Sequence, residues 1–290
     1  MMLFFKSILP LAILLTSTSA YAAGTGPTVA YATRGGQGEI YLVDPGGSPR
    51  LVYRGPRRTA IFNIDMKPGG GELSFEETNC CSAAGPTSLK TLQYGISGLG
   101  TVSRSLPITG AGCRIGSIDY HPDPTNGSLI YTGNCSSSIN RLAAGATTPT
   151  EINISNVAKA AWTSDGLHIL YVADALRKIA VATPENSEII VATNCVATLD
   201  AGSTLDVALL SIGQVCGGPR IDFVDVATKT LQTGIQQGQA AHLSPNDNLY
   251  IYISPYQRGG SYLLVRQVNG NALVERIGAK AEYSAVDWRN

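Results

Sequence analysis

Charged side chains are scarce in this sequence. Lys, Arg, Asp and Glu make up 14% of the 290 residues, whereas soluble proteins usually carry about 25%. The 21 basic and 21 acidic residues balance, and no basic stripe is present, so nucleic acid is not an expected partner. Stretches with helical periodicity are also scarce, while 32 glycines are present. Together these features predict an all-β, turn-rich protein.

Motifs of catalysis and cofactor binding are also missing. Gly95–Leu99 resembles a nucleophile elbow but lacks the last glycine of Gly-x-Ser-x-Gly. No glycine-rich phosphate-binding pattern follows a strand, and no Cys-x-x-Cys pair suggests a metal site. The three histidines, His121, His168 and His242, are expected to be isolated structural or surface residues. The sequence therefore predicts no catalytic or cofactor-binding residues and favours a non-enzymatic protein over an enzyme.

Long apolar runs are absent beyond the N-terminus. Residues 1–22 have the pattern of a cleaved signal peptide, with Lys6 as the only charge and a short apolar run from Ile8 to Leu15. That run is shorter than the roughly 20 residues needed to span a bilayer. The site Ala20-Tyr21-Ala22 predicts a mature chain that begins at Ala23. We therefore expect an exported protein, periplasmic or secreted, without a transmembrane span.

What the sequence does contain is a repeated hairpin. Its clearest copy spans Ala160 to Val172, where Asp165-Gly166 forms the turn between two apolar runs, a strong hairpin signal. Degenerate copies recur along the chain, and each has a matching position in its first strand. These repeat positions, spaced by 39 to 54 residues, are Met66, Tyr120, Trp162, Ala201, Leu243 and Trp288. A period of about 40–50 residues with roughly four strands per unit is typical of a β-propeller.

The two ends of the chain together complete one blade. Tyr283 to Asn290 supply one strand, and Thr28 to Gly55 supply three. Pairing them closes the ring and removes the exposed edges that an open stack of sheets would carry. With five complete copies, this composite blade predicts a six-bladed propeller. Seven blades are the alternative if the insertion near Thr78 to Thr87 hides strands, and residues 23–290 are expected to form one domain.

Several segments resemble a known repeat. They are Val29–Arg34, Glu39–Asp44, Gly46–Arg50, Trp162–Gly166 and Ser244–Asp247. These segments resemble the TolB-type repeat, also called PD40 or WD40-like, which runs apolar-Ala-Tyr, a glycine turn, Glu-Ile-Tyr-x-x-Asp and a Trp-Ser-Pro-Asp-Gly turn. The resemblance covers the propeller portion only, and the α/β domain that precedes it in the protein that names the family is expected to be absent. It implies a periplasmic propeller used mainly for protein contacts.

Six cysteines in an exported chain predict disulfides. Cys113 lies before the first strand of its blade and Cys135 after the second strand. Cys195 and Cys216 hold similar positions in another blade, and the separations are 22 and 21 residues. The start of strand one and the end of strand two are neighbours in an antiparallel hairpin. We therefore predict the pairs Cys113–Cys135 and Cys195–Cys216.

The remaining two cysteines, Cys80 and Cys81, are adjacent in the inserted loop. They either form a vicinal disulfide or remain thiols. A vicinal disulfide resembles a feature of some quinone-dependent propeller dehydrogenases, where it touches the cofactor, but adjacent cysteines are the only shared feature. A staple within the loop is therefore the preferred interpretation, and no cofactor is predicted.

Three aspartates stand at one position of the repeat. Asp65, Asp119 and Asp287 each immediately precede a repeat position. Because the first strands of propeller blades line the central channel, these carboxylates are expected to approach one another near the axis. Oxygen ligands suit calcium, so the three are the candidates for a cation site. The preferred alternative is that each carboxylate caps backbone N–H groups of a neighbouring blade.

These observations predict a propeller that binds other envelope proteins and is monomeric outside its complexes. The contact face is expected to carry the loops between blades and between second and third strands, including the loop with Cys80 and Cys81. Tyr256, in a polar loop, is a candidate anchor for a partner. One alternative is a small-ligand-binding or enzymatic propeller that uses the central channel, which would need a deep axial pocket. Another is a subunit of a larger exported assembly.

Overall fold

The computed structural model describes residues 28–33, 36–44, 47–79, 85–110, 112–193, 195–213, 216 and 218–289. The predicted signal peptide at 1–22, the predicted start at Ala23, Cys80 and Cys81 lie outside these residues. The described residues form six antiparallel sheets of four strands each. No helix in this part of the chain is long and apolar enough to cross a membrane.

Each sheet is one blade, and its first strand lies at the axis, where it contacts the first strands of both neighbouring blades. Blade 1 consists of β24 (Tyr283–Arg289), β1 (Thr28–Thr33), β2 (Gln37–Val43) and β3 (Arg50–Arg57); blade 2 of β4 (Thr59–Met66), β5 (Glu72–Asn79), β6 (Thr87–Gln93) and β7 (Thr101–Ile108); blade 3 of β8 (Ile115–Tyr120), β9 (Leu129–Gly133), β10 (Ser136–Leu142) and β11 (Thr150–Ile152). Blade 4 consists of β12 (Lys159–Trp162), β13 (His168–Val172), β14 (Leu176–Ala180) and β15 (Thr183–Val191); blade 5 of β16 (Val196–Ala201), β17 (Val207–Ile212), β18 (Arg220–Asp225) and β19 (Thr230–Gln236); blade 6 of β20 (Gln239–Leu243), β21 (Leu249–Ile253), β22 (Ser261–Gln267) and β23 (Leu273–Ala281).

Strands from the two ends of the described chain meet in blade 1. β24 pairs with β1 in antiparallel register, with Trp288 opposite Val29. The predicted closure of the ring by N-terminal and C-terminal strands is therefore confirmed. In blade 2, β5 pairs directly with β6, with Thr78 opposite Thr87. The described strands thus form the six predicted blades and not the alternative seven.

The hydrophobic core is divided among the six interfaces between blades. Within the described residues, six clusters of buried apolar side chains each join two adjacent blades. Between blades 6 and 1, for example, Ile251 and Leu263 pack with Tyr31 and Trp288. Because each sheet is covered on both faces, its inner strands are apolar on both sides. This burial stabilises a blade only when its neighbours are in place.

The repeat position of the sequence lies in the first strand of every blade. All six residues at this position are buried, with exposed fractions from 1% for Met66 to 8% for Ala201. Ala201, the least obvious copy, ends β16 and is therefore correctly aligned. In the clearest copy, Gly166 has a φ of +63°, a conformation that favours glycine. A Cβ at Gly166 would lie 2.6 Å from the ring of His121.

The meander of each blade gives the propeller two different faces. The turn face carries the connections between first and second strands and between third and fourth strands, such as residues 67–71 and 163–167. The loop face carries the connections between second and third strands and between blades, such as residues 134–135 and 153–158. The loop face is the one on which the sequence predicts partner contacts.

Two disulfides lie on the loop face. Cys113 is bonded to Cys135 and Cys195 to Cys216, with Cα–Cα distances of 5.4 and 6.1 Å. Each disulfide joins the segment before a first strand to the segment after the second strand of the same blade. These are the pairs expected from the repeat, and each encloses one complete hairpin.

We expect the Cys113→Ser/Cys135→Ser variant to lose about 3 kcal/mol of unfolding free energy, because its unfolded chain loses a cross-link. The Cys195→Ser/Cys216→Ser variant should lose a similar amount. Urea denaturation at neutral pH measures both losses. Peptide mapping without reductant is the control, and a peptide that joins Cys113 to Cys195 would contradict the pairing.

Candidate functional site at the propeller axis

The axis is lined by the residue that precedes the repeat position in each first strand. These six residues are Asp65, Asp119, Ala161, Asp200, His242 and Asp287. The sequence singles out three of the aspartates, and Asp200 is the one it misses, because Asp200 precedes the inconspicuous Ala201. All four aspartates are buried, and none is more than 8% exposed. Carboxylates so far from water need hydrogen bonds or counter-charges.

Each aspartate links its blade to the next one through the backbone. One carboxylate oxygen accepts a hydrogen bond from the N–H at the repeat position of the following blade. The donor–acceptor distances are 2.6 Å from Tyr120 to Asp65, 2.5 Å from Trp162 to Asp119, 2.7 Å from Leu243 to Asp200 and 2.7 Å from Met66 to Asp287. Hydrogen bonds to an ionised group are roughly twice as strong as neutral ones. The predicted capping role of the aspartates is therefore confirmed.

Arg289, at the end of β24, places a cation among these carboxylates. Its Nη2 donates to Asp65 Oδ1 at 3.0 Å and to Asp119 Oδ1 at 3.1 Å. Its Nε lies 3.8 Å from Asp287 Oδ2. Burial opposes the charge of this guanidinium, but the surrounding carboxylates, Asp65 foremost, hold the pKa of Arg289 well above its ordinary value. The sequence gives no sign of this role, because Arg289 follows the last repeat position.

His242 is the second basic residue at the axis. Its Nδ1 lies 3.4 Å from Asp287 Oδ1 and 3.7 Å from Asp200 Oδ1. Burial lowers the pKa of His242, but the carboxylates of Asp200 and Asp287 raise it by more. The net shift is therefore upward. His121 packs instead against the ring of Trp162. The histidines do not come together, as expected, but His242 belongs to the axial cluster and is not isolated.

The buried carboxylates do not all titrate alike. Burial raises the pKa of Asp65 to about 7, in opposition to Arg289. The pKa of Asp119 is also well above its ordinary value, first because of burial and then because of Asp65. For Asp200, burial opposes ionisation, but the nearby His242 outweighs burial and lowers the pKa. The environment of the axis therefore shifts the pKa values of Asp65 and Asp119 upward and that of Asp200 downward.

The three predicted cation-site candidates do meet at the axis. Asp65, Asp119 and Asp287 each use one oxygen for a backbone N–H. The guanidinium of Arg289 lies where a cation shared by these carboxylates would have to lie. In the part of the chain that the structure describes, no group of three or more His, Cys, Asp or Glu residues is arranged to hold a metal ion. Calcium binding at these residues stays the alternative to the capping role that the sequence favours.

The axial cluster separates two small cavities in the channel. On the loop face, a cavity of about 60 Å³ is lined by residues that include Asn63, Ser117, His242 and Ser284. On the turn face, a cavity of about 230 Å³ is lined by residues that include Asp119, Tyr120, Trp162 and Arg289. Ligand sites usually measure about 300–1,000 Å³. Both axial cavities are therefore smaller than the pocket that a ligand-binding channel would need.

Larger recesses flank the channel mouth on the loop face. One of about 570 Å³ lies between blades 3 and 4 and is bordered by Lys159. Another of about 460 Å³ lies beside blades 5, 6 and 1 and is bordered by Tyr256. Gly116 borders both the first recess and the axial cavity, and Ser284 borders both the second recess and the axial cavity. Together they form a line of concavities across the loop face.

We expect the free energy of unfolding to fall as pH rises from 3.8, the ordinary pKa of Asp65, through its folded value of about 7. In this window the folded chain holds protons that the unfolded chain has released, so raising the pH removes stability. The raised pKa of His242 acts in the same direction above 6.5. Urea denaturation across this pH range measures the slope.

The matched variants for this measurement are Asp119→Asn, at the axis, and Asp206→Asn, on the surface. Asp119→Asn removes one group that holds a proton in the folded state, so the dependence on pH should become shallower. Asp206→Asn should leave the slope unchanged. An Asp119→Asn slope equal to that of the unmodified protein would contradict the proposed origin of the pH dependence.

Comparisons with known proteins agree with the architecture. No family model and no curated protein matches the sequence. Among solved structures, the chain is similar to TolB from Acinetobacter baumannii, with a TM-score of 0.72 and 13% identity, over 93% of this chain and 68% of that one. Since 587 solved chains match, this likeness identifies a fold and not an activity. The resemblance to the TolB-type repeat is therefore confirmed at the level of the fold, as a six-bladed propeller similar to the propeller portion of TolB.

Proposed function

We propose that this protein is a protein–protein interaction platform in the cell envelope. The observation that carries the proposal is the contrast between the axis and the loop face. At the axis, Arg289 and the buried carboxylates close the channel. On the loop face, concavities of about 570 and 460 Å³ flank the channel mouth. This contrast favours binding of another protein on one face over binding of a ligand in the channel.

The proposed partners are one or more envelope proteins, and the proposed contact surface is the loop face. Tyr256 is the candidate anchor, because its side chain is 64% exposed and borders the recess of about 460 Å³. Tyrosine is one of the residue types enriched among those that dominate binding free energy at interfaces. Outside such a complex the protein is proposed to be a monomer.

The proposed location is the periplasm. Residues 1–22 have the pattern of a signal peptide, and two disulfides suit an oxidising compartment. The resemblance to the TolB-type repeat implies the same compartment. These three lines of support are independent of the identity of any partner.

A small-ligand-binding or enzymatic propeller is the second candidate, and the cavity on the turn face favours it. This cavity of about 230 Å³ combines Asp119 and Arg289 with the rings of Tyr120 and Trp162. A few polar groups among aromatic side chains are typical of ligand sites. The small volume places this candidate behind the interaction platform.

We expect the mature protein to begin at Ala23 and to be released with the periplasmic fraction, because Ala20-Tyr21-Ala22 fits a cleavage site. The intact mass of protein released by osmotic shock measures both properties. Substitution of Ala20 and Ala22 by leucine should cause the uncleaved precursor to accumulate. A full-length protein in the cytoplasmic fraction would contradict export.

We expect a photo-crosslinking residue at Tyr256 or Ser137, on the loop face, to yield one discrete adduct in intact cells. The same residue at Leu167 or Leu205, on the turn face, should yield none. All four positions are exposed, so they differ in face and not in accessibility. Mass spectrometry of the adduct identifies the partner.

Adducts from the turn face alone, or equally from both faces, would contradict the proposed contact surface. Absence of an adduct at all four positions would contradict the interaction platform. A thermal-shift screen of small ligands would then test the second candidate, and the Asp119→Asn variant should abolish any shift that arises in the turn-face cavity.

A further inference from the structure

The recess between blades 3 and 4 has two basic residues in its lining. Arg114 precedes β8, and Lys159 is the first residue of β12. Both line the recess of about 570 Å³, together with Asn134, Ser137 and Asn156. This volume lies within the usual range of small-molecule sites, about 300–1,000 Å³. Two cations in a recess of this size indicate an anionic ligand.

Arg114 keeps part of its hydrogen-bonding capacity available. Its Nε donates to Glu76 Oε1 at 2.5 Å, and its guanidinium lies 4.4 Å from the ring centre of Phe62. Within the described residues, the two terminal nitrogens have no hydrogen-bond partner. The side chain is 40% exposed. The terminal N–H groups can therefore form the forked contact that carboxylates accept.

Lys159 is largely buried and has one hydrogen-bond partner in the described part of the chain. Its Nζ donates to the carbonyl oxygen of Gly116 at 2.5 Å, which is an uncharged acceptor. Burial lowers the pKa of Lys159 to about 8, although the charge of Glu76 acts in the opposite direction. A bound anion would stabilise the protonated form of this lysine.

A single carboxylate faces these two cations within the described residues, and it is already occupied. Glu76, on β5, is fully buried. Its Oε1 accepts hydrogen bonds from Arg114 and from the backbone N–H of Ile115, and its Oε2 accepts one from Asn63. Two cations against one carboxylate leave a net positive charge at the recess. A second carboxylate, supplied by a ligand, would balance it.

We propose that this recess binds a carboxylate between the terminal nitrogens of Arg114 and the Nζ of Lys159. The carboxylate belongs either to a small organic acid or to the C-terminus of a peptide, since both present the same group. The recess is distinct from the axial cluster, but it lies on the loop face that is proposed to contact a partner. Titration of the purified protein with small probes tests the carboxylate site without that partner.

Isothermal titration calorimetry on the purified mature protein tests this inference. The probes are acetate and N-acetylated Gly-Gly-Gly, the latter both as the free acid and as the C-terminal amide. We expect acetate or the free acid to bind with a Kd in the millimolar range and the amide to give no heat. Similar affinities for acetate and the free acid indicate a small acid as ligand, and tenfold tighter binding of the free acid indicates a peptide end. No heat from either would overturn the proposal.

Substitutions connect the binding to the two cations. Lys159→Met and Arg114→Gln should each weaken binding at least tenfold. Lys178→Met is the matched control, because Lys178 lies on the same blade and pairs with Asp206 at 3.7 Å outside the recess. Equal affinity in Lys159→Met, Arg114→Gln and the control would overturn the assignment.

The dependence of affinity on pH separates a direct contact from a structural role of Lys159. The charge of Glu76, on β5, acts on Lys159, and Arg114, before β8, lines the same recess. Affinity should fall about tenfold per pH unit above pH 8, because the ligand binds the protonated amine. Lys159→Arg should bind the same probes without this decline, because a guanidinium stays charged. If the Lys159→Arg variant folds and its affinity still falls above pH 8, the proposed role of Lys159 is overturned. If the Lys159→Arg variant does not fold, Arg114→Gln provides an independent test.

Discussion

Every sheet of this propeller requires a neighbour on both of its faces. The apolar side chains are not gathered in one central core but are divided among the interfaces between blades. A single blade in water would therefore expose two apolar surfaces, and only a closed ring covers all of them. The hydrogen bonds from repeat-position N–H groups to axial aspartates also require adjacent blades, because each bond joins one blade to the next.

The geometry of the ring creates an electrostatic problem at its axis. Four carboxylates converge in a space with little water, and ionising all of them would be costly. The protein compensates with Arg289 and His242, and Asp65 and Asp119 keep protons at higher pH than usual. This compensation closes the channel, so the concavities of useful size lie on the loop face instead.

The sequence predicts those features of the structure that recur in every copy of the repeat. The buried first-strand residues and the composite blade follow from it, and even Ala201 is aligned correctly. Asp200 and His242 occupy the same position of the repeat as Asp65, so an alignment of the repeats can identify both as axial residues. The surrounding residues of these two copies match the repeat poorly, which makes the alignment hard to recognise. Arg289 carries no such signal, because its contact with Asp65 spans 224 residues of sequence and depends on how far a side chain reaches across the axis.

The recess beside Lys159 is also invisible to sequence patterns. Arg114 and Lys159 belong to different blades, and they share a surface only because blades 3 and 4 pack side by side. The environment of Lys159 arises from that packing: its ammonium donates to the backbone of Gly116 across the blade boundary. Periodicity predicts which residues are buried in a blade, whereas recesses between blades require the arrangement in three dimensions.

The position of β24 in the chain has a consequence for biosynthesis. This strand is translated after all the other described strands, yet it is the innermost strand of blade 1. Until it leaves the ribosome, β1 lacks its inner partner and Arg289 cannot neutralise the carboxylates of blades 2 and 3. The nascent chain can form local hairpins but not the finished ring. For the export proposed above, this delay would keep the chain incompletely folded, and so able to pass through a membrane channel, until translation is nearly complete.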